Sequence, residues 1–211
     1  MNILSRLKLQ IKEELKKLKL PLMNFLKVFI ISSIFFFSCK NEIIHPKPES
    51  YFRIDYPKKS YYYINDSCPF KFKIPDYGAW TKRFNDSKNC NKSIIFPKIK
   101  AEILCDYLLL NDNLFELSES FRKMVYDHSF KSSAIIEKLW VNDSANVYGV
   151  AYEIKGNTAC NFAFLLTDSI SNFFSGQLVF QAYPNYDSLK PSIEFIKKDI
   201  FKLRDTFRWV N

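Results

Sequence analysis

The chain has 211 residues, a formal charge of +9, 21 Phe and 12 Tyr but only 4 Gly. So few glycines argue against phosphate-cradling loops and against a barrel built from tight hairpins. The charge misleads: seven of the 31 basic and two of the 22 acidic residues fall in 1–38, so the rest carries 24 against 20, a net +4. Those charges are interspersed, whereas nucleic-acid binding needs a concentrated basic face.

Val28 to Phe37 reads VFIISSIFFF, preceded by Lys27 and followed by Ser38-Cys39. The run is too short to span a bilayer, which takes about 20 apolar residues, but it suits a secretory h-region of roughly 7–15. A basic residue, a short apolar run and a small residue before cysteine make up a bacterial lipoprotein signal. The expectation is that 1–38 are removed and Cys39 becomes the lipidated first residue, acting outside the cytoplasm. Phe36 stands three before the cysteine, where such signals prefer Leu. Either Met23 is the working start, or residues 1–22 are a long basic n-region; an amphipathic membrane helix is the alternative for that stretch.

Residues 40–50 (KNEIIHPKPES) read as a tether stiffened by Pro46 and Pro48. The remainder, 51–211, reads as one domain. Strands are expected at Tyr51–Tyr56, Tyr61–Ile64 and Pro69–Ile74. They continue across Ile94–Leu110, with Pro97 at an edge or bulge and Ile99, Ala101, Ile103, Cys105 and Tyr107 on one buried face. Asn111-Asp112-Asn113 starts a helix over Leu114–Ser129, whose stripe is Leu114, Leu117, Phe121, Val125 and His128. Four strands follow, Ile135–Trp140, Val147–Ile154, Ala159–Leu166 and Phe173–Tyr183, and their short turns imply antiparallel pairing. In the last helix, Leu189, Ile193, Ile196, Ile200, Leu203 and Phe207 form one stripe, with Asp187 or Ser188 as cap and Pro191 in the first turn. The sum is an α+β domain: a mainly antiparallel sheet of six or seven strands carrying two long helices. In element order it is similar to PsbP-like domains, a likeness silent on function.

Apart from Cys39, four cysteines remain, permitting two disulfides in an exported chain. Cys68–Cys90 is favoured, because it closes a 21-residue gap rich in turn residues. Cys105 and Cys160 sit in apolar strand-like runs and either pair or stay as buried thiols. No Cys/His spacing suits zinc, and no cofactor is expected. His45 falls in the tether and His128 at a helix end, and no G-x-S-x-G, H-E-x-x-H or Walker pattern occurs. Arg53 and Asp55 are either an ion pair on a solvated face or, with Tyr51 and Tyr56, a recognition patch beside the tether. Gly156 and Asn157 suit a positive-φ turn, and Tyr186-Asp187 leads into the last helix.

Six strings, PKPESYFRIDYPKK (46–59), CPF (68–70), FPKIKA (96–101), NVYGVAYEIKGNTA (146–159), FLLTDS (164–169) and PNYDSL (184–189), run collinearly through the chain. Together with the lipoprotein signal they resemble the gliding-motility lipoprotein GldD family. One departure is Ser50, where the family pattern has Gly before Tyr-Phe-Arg. The resemblance implies a non-catalytic accessory part of the gliding machinery, coupled to type IX secretion. It would be anchored by lipid in the cell envelope, with other gliding and secretion proteins as partners and no nucleic acid. It makes Tyr51, Phe52, Arg53, Asp55, Tyr56, Gly156, Asn157, Tyr186 and Asp187 the candidate interaction residues. An envelope enzyme or small-ligand binder acting on peptidoglycan or lipid is the alternative. It would need a deep pocket walled by aromatics around a polar cluster.

Overall fold

A computed structural model describes residues 12–13, 15–16, 54–83 and 90–210. The chain divides into two units, Met1–Ser50 and Tyr51–Asn211. In the second unit, seven of the described strands form one antiparallel sheet. Its order is β4 (Ala79–Lys82), β5 (Lys92–Phe96), β6 (Ala101–Leu109), β10 (Asn172–Phe180), β9 (Cys160–Thr167), β8 (Val147–Gly156) and β7 (Ser132–Asn142). Two short ladders flank it: β1 (Tyr61–Tyr63) on β3 (Lys73–Pro75), and β2 (Phe70–Lys71) on β11 (Arg208–Trp209). The helices of this unit are α1 (Leu114–Tyr126) and α2 (Tyr186–Thr206). The domain is α+β, as expected.

Helices on both faces explain β9. All eight of its residues are buried, and its sequence, CNFAFLLT, is a nearly continuous apolar run, the pattern of a strand covered twice. Phe162, Phe164 and Leu166 face the core under α2, while Ala163 and Leu165 face the core under α1. From α1, Phe121 and Val125 are buried and Leu114 and Leu117 pack partly beneath it, so the expected stripe holds. The α2 stripe also holds: Ile193, Ile196, Ile200 and Leu203 are buried, and Phe207 continues it past the helix end.

Aromatic side chains fill the α2-side core by packing on one another. Phe70 lies 4.9 Å from Phe174, Phe174 5.2 Å from Phe207, and Phe72 meets Trp80 edge-on at 5.4 Å. Such pairs contribute about 0.5–1.5 kcal/mol each beyond the area they bury. Gly176 makes room for this packing, because a Cβ there would stand 2.3 Å from the ring of Phe164, its partner on β9.

Several expectations need correction. Ile54–Tyr56 is not a strand; that segment is held by side chains of α2 instead. The run 94–110 is not one strand interrupted at Pro97. Pro97–Ile99 form a single 3₁₀ turn, Lys100 takes a left-handed φ of 53°, and β5 folds back on β6 with Phe96 opposite Ala101. Pro69–Ile74 splits into β2 and β3, which pair with different partners. Strand β4 lies in a stretch expected to be turns. The first helix ends at Tyr126, leaving His128 half-buried in the following turn. Asn185 caps α2, its side chain accepting from Ser188 N, so Asp187 and Ser188 are inside the helix and Pro191 lies beyond the first turn.

Candidate functional site

The cysteines sort into one bridge and two thiols. Cys68 and Cys90 are joined by a disulfide, with Cα atoms 5.8 Å apart. Cys105 and Cys160 are free and buried, which decides between the two readings left open by the sequence. Burial pushes the Cys160 thiol up to about 12 and raises Cys105 as well, so both behave as inert packing groups. Beside the bridge, Asp66 accepts from Lys92 Nζ, from Trp80 Nε1 at 2.7 Å and from Ser67 N at 2.8 Å. Burial pushes the Asp66 carboxyl up, but Lys92 and Trp80 more than offset this and leave it below the usual carboxylate range.

A polar cluster on α2 gathers around Asp199, which no expectation named, and takes in Tyr56, which was expected to recognise a partner. Asp199 projects from the buried face of α2, with only 3 % of its surface exposed. It accepts from Lys59 Nζ at 2.5 Å, from Tyr61 OH at 2.7 Å and from Tyr77 OH. Lys59 also donates to Phe195 O at 3.0 Å and lies 3.8 Å from the centroid of the Phe195 ring. Tyr56 stacks on the other part of this site, its ring 4.2 Å from Phe195 and its hydroxyl sharing a hydrogen bond with Ser192 Oγ. Burial raises the Tyr61 and Tyr77 hydroxyls and the Asp199 carboxylate, by accepting their protons, raises them further. Burial lowers Lys59 by more than Asp199 restores. The result is a strap: the segment from Tyr56 to Tyr61 is clamped to α2 by the Asp199 carboxylate and by the stacked Tyr56 and Phe195 rings. One signal in the sequence pointed here, since Asp199 interrupts the apolar stripe between Ile196 and Ile200.

Two of the expected loops do meet. Asn157 Oδ1 accepts from Tyr186 N at 2.8 Å, so the β8–β9 turn docks on the first turn of α2. Asn161 Nδ2 holds that turn from inside, donating to the carbonyls of Ile154 and Gly156. Gly156 has φ 122°, and a Cβ there would stand 2.6 Å from Lys131 O. Gly156→Ala should therefore destabilise the domain by about 2 kcal/mol or more, read as a fall in thermal midpoint of the purified protein. Asp187 and Asp55 are exposed. Cys39, His45, Tyr51, Phe52 and Arg53 lie outside the described residues.

Asp168 organises the β9–β10 turn. Its Oδ1 accepts from the backbone N–H of Ile170, Ser171 and Asn172 at 2.8–3.0 Å, and its Oδ2 accepts from Asn172 Nδ2 at 2.6 Å. Burial acts to raise this carboxyl, but the backbone donors outweigh it and hold it below the usual range. A lowered native pKa gives stability that is complete above the unfolded value near 4 and is lost as pH falls through the native one. Thermal melts from pH 6 to 2 should show this acid loss, and Asp168→Ala should be less stable at pH 6 by about 2–3 kcal/mol, with a shallower loss below pH 4.

Of the pockets lined by described residues, neither that between β7 and α2 nor that on α1 includes a residue of these clusters. A depression of about 280 Å³ lies between β7 and the end of α2, lined by Leu139, Trp140, Val141, Asn142, Val147, Arg204 and Asp205. Its charged pair, Arg204 and Asp205, is closed on itself at 2.6 Å. Among the described residues no group of three His, Cys, Asp or Glu gathers as metal ligands would. No described helix is long and apolar enough to cross a membrane.

No curated protein matches the chain. Among solved structures it is similar to cyanobacterial PsbP (CyanoP) from Synechocystis sp. PCC 6803, at 11% identity and a TM-score of 0.47, covering 72% of this chain and 94% of that one. A family model described as gliding motility lipoprotein GldD matches residues 41–209. That span takes in both the strap and the α2 face it binds, and the chain belongs to the gliding motility lipoprotein GldD family.

Proposed function

We propose that this protein is a lipid-anchored, non-catalytic interaction component of the cell envelope, required for gliding motility and for the type IX secretion coupled to it. Membership of the family carries the link to gliding and to lipoprotein anchoring. On this reading residues 1–38 are the signal, Cys39 bears the lipid, 40–50 are the tether and 51–211 form one domain. Its partners are other gliding and secretion proteins, met through the candidate interaction residues, of which Asp55 and Asp187 are exposed.

The single observation that favours a scaffold over an enzyme is where the polar groups go. The described buried charged groups are engaged in holding elements together: Asp199 binds the strap, and Lys92 binds Asp66 at the disulfide. Catalytic sites instead gather unsatisfied, convergent groups around a reacting atom. The test is deletion of the gene, with complementation by the native protein or by Cys39→Ala. Loss of gliding and of secretion, restored only by the acylated form, is the expected outcome. Normal gliding and secretion in the deletion strain would refute the proposal.

A further inference from the structure

We infer that a strip of lysine and tyrosine beside the strap rests on anionic lipid headgroups of the same membrane that holds the anchor. The inference rests on the lipid-anchored reading above and adds an orientation to it. The strip is built from three elements. Lys198 and Lys202 are one turn apart on α2 and exposed. Lys202 Nζ lies 5.8 Å from the Tyr61 ring centroid, and Lys73 Nζ on β3 lies 4.9 Å from that of Tyr63. Lys73 N donates to Thr206 Oγ1 at 3.0 Å, one further turn along the same helix. Lys198 is close enough to Lys59 to act on it electrostatically. Tyr63, on the same face of β1 as Tyr61 and exposed by 49%, completes the surface.

Charge and chain length choose lipid as the occupant. Among the described residues Lys73, Lys198 and Lys202 make no ion pair. The acids of α2 that could have neutralised them are engaged elsewhere: Asp199 with Lys59, Glu194 with Lys197 and Asp205 with Arg204. With Lys58 counted, the strip stays net positive even against Asp55 and Asp76. Tyrosine with lysine is the composition that settles at a membrane interface, the ring at headgroup level and the ammonium on phosphate. Fourteen residues separate Cys39 from Ile54, a contour of at most about 50 Å. The anchored chain therefore re-enters the domain at the strap, on the elements that carry the strip, and within reach of the bilayer surface. Each lysine at an anionic surface contributes about fivefold to the preference, which is screened by salt.

The test uses the acylated protein in vesicles of phosphatidylcholine alone or with 30% phosphatidylglycerol. Flotation with both kinds of vesicle reads the anchor separately. Amine-labelling rates, resolved by mass spectrometry, read the strip. Lys73, Lys198 and Lys202 should be labelled several-fold more slowly on the anionic vesicles and recover in high salt, while exposed Lys98 and Lys131 are unchanged. In the Lys73→Gln, Lys198→Gln, Lys202→Gln variant, Tyr63 should lose its protection from hydroxyl-radical oxidation on those vesicles. Equal labelling on both lipids overturns the inference. Protection in native membranes but not in pure lipid overturns it too, and assigns the strip to a protein partner. A chain that fails to float refutes the anchor instead.

Discussion

Asp199→Ala is expected to cost about 3–5 kcal/mol, the cost of removing one partner from a buried charge pair. Three donors lose their acceptor together: Lys59 Nζ, Tyr61 OH and Tyr77 OH. For a chain of this size, such a loss lowers the thermal midpoint by about 6–20 °C. Asp199→Asn keeps one acceptor oxygen but leaves Lys59 uncompensated, so it should fall between the native protein and the alanine variant. Removing the whole polar set, as Lys59→Met, Tyr61→Phe, Tyr77→Phe and Asp199→Leu together, should recover most of the stability, because no charge or hydroxyl is then left buried alone. Thermal and urea melts of the four proteins measure this series. A native-like Asp199→Ala would mean that the cluster does not hold the strap.

Reduction of the Cys68–Cys90 bridge is the second large effect. The bridge closes a loop of about 22 residues, for which the chain-entropy account gives about 3 kcal/mol. The loss should be greater than entropy alone if the corner opens, because Asp66, Trp80 and Lys92 are held beside it. Melting with and without a thiol reductant, or of Cys68→Ser with Cys90→Ser, should show a fall of about 6–12 °C. Because Cys105 and Cys160 are buried and free, the reductant should have no effect on the double variant.

Periodicity made much of this fold legible. The four-and-three spacing of α2 and the alternation from Ala101 to Cys105 each have one solution, since any slip would move apolar groups into water. Where the apolar pattern continued through a chain reversal, it failed. Residues 94–110 read as one strand because both β5 and β6 are apolar, and the turn between them is set by Pro97 and by the left-handed Lys100 rather than by a glycine. The strap was only hinted at, by Asp199 beside the α2 stripe, for a different reason. Tyr56, Lys59, Tyr61 and Tyr77 gain their partners on α2, more than a hundred residues away. Of the candidate surface, Asn157 and Tyr186 proved to be neighbours, but their contact joins a turn to a helix. The residues expected to recognise a partner are thus partly ones that build the domain.

The central claim is that this lipoprotein acts by contact with other parts of the gliding and secretion machinery. Crosslinking the native protein in intact membranes, followed by its recovery beside a Cys39→Ala control, tests that most directly. The account predicts that motor or secretion-channel components are captured with the acylated protein and not with the control. Recovery of lipid or cell-wall fragments alone would contradict it and favour a ligand-binding or enzymatic role.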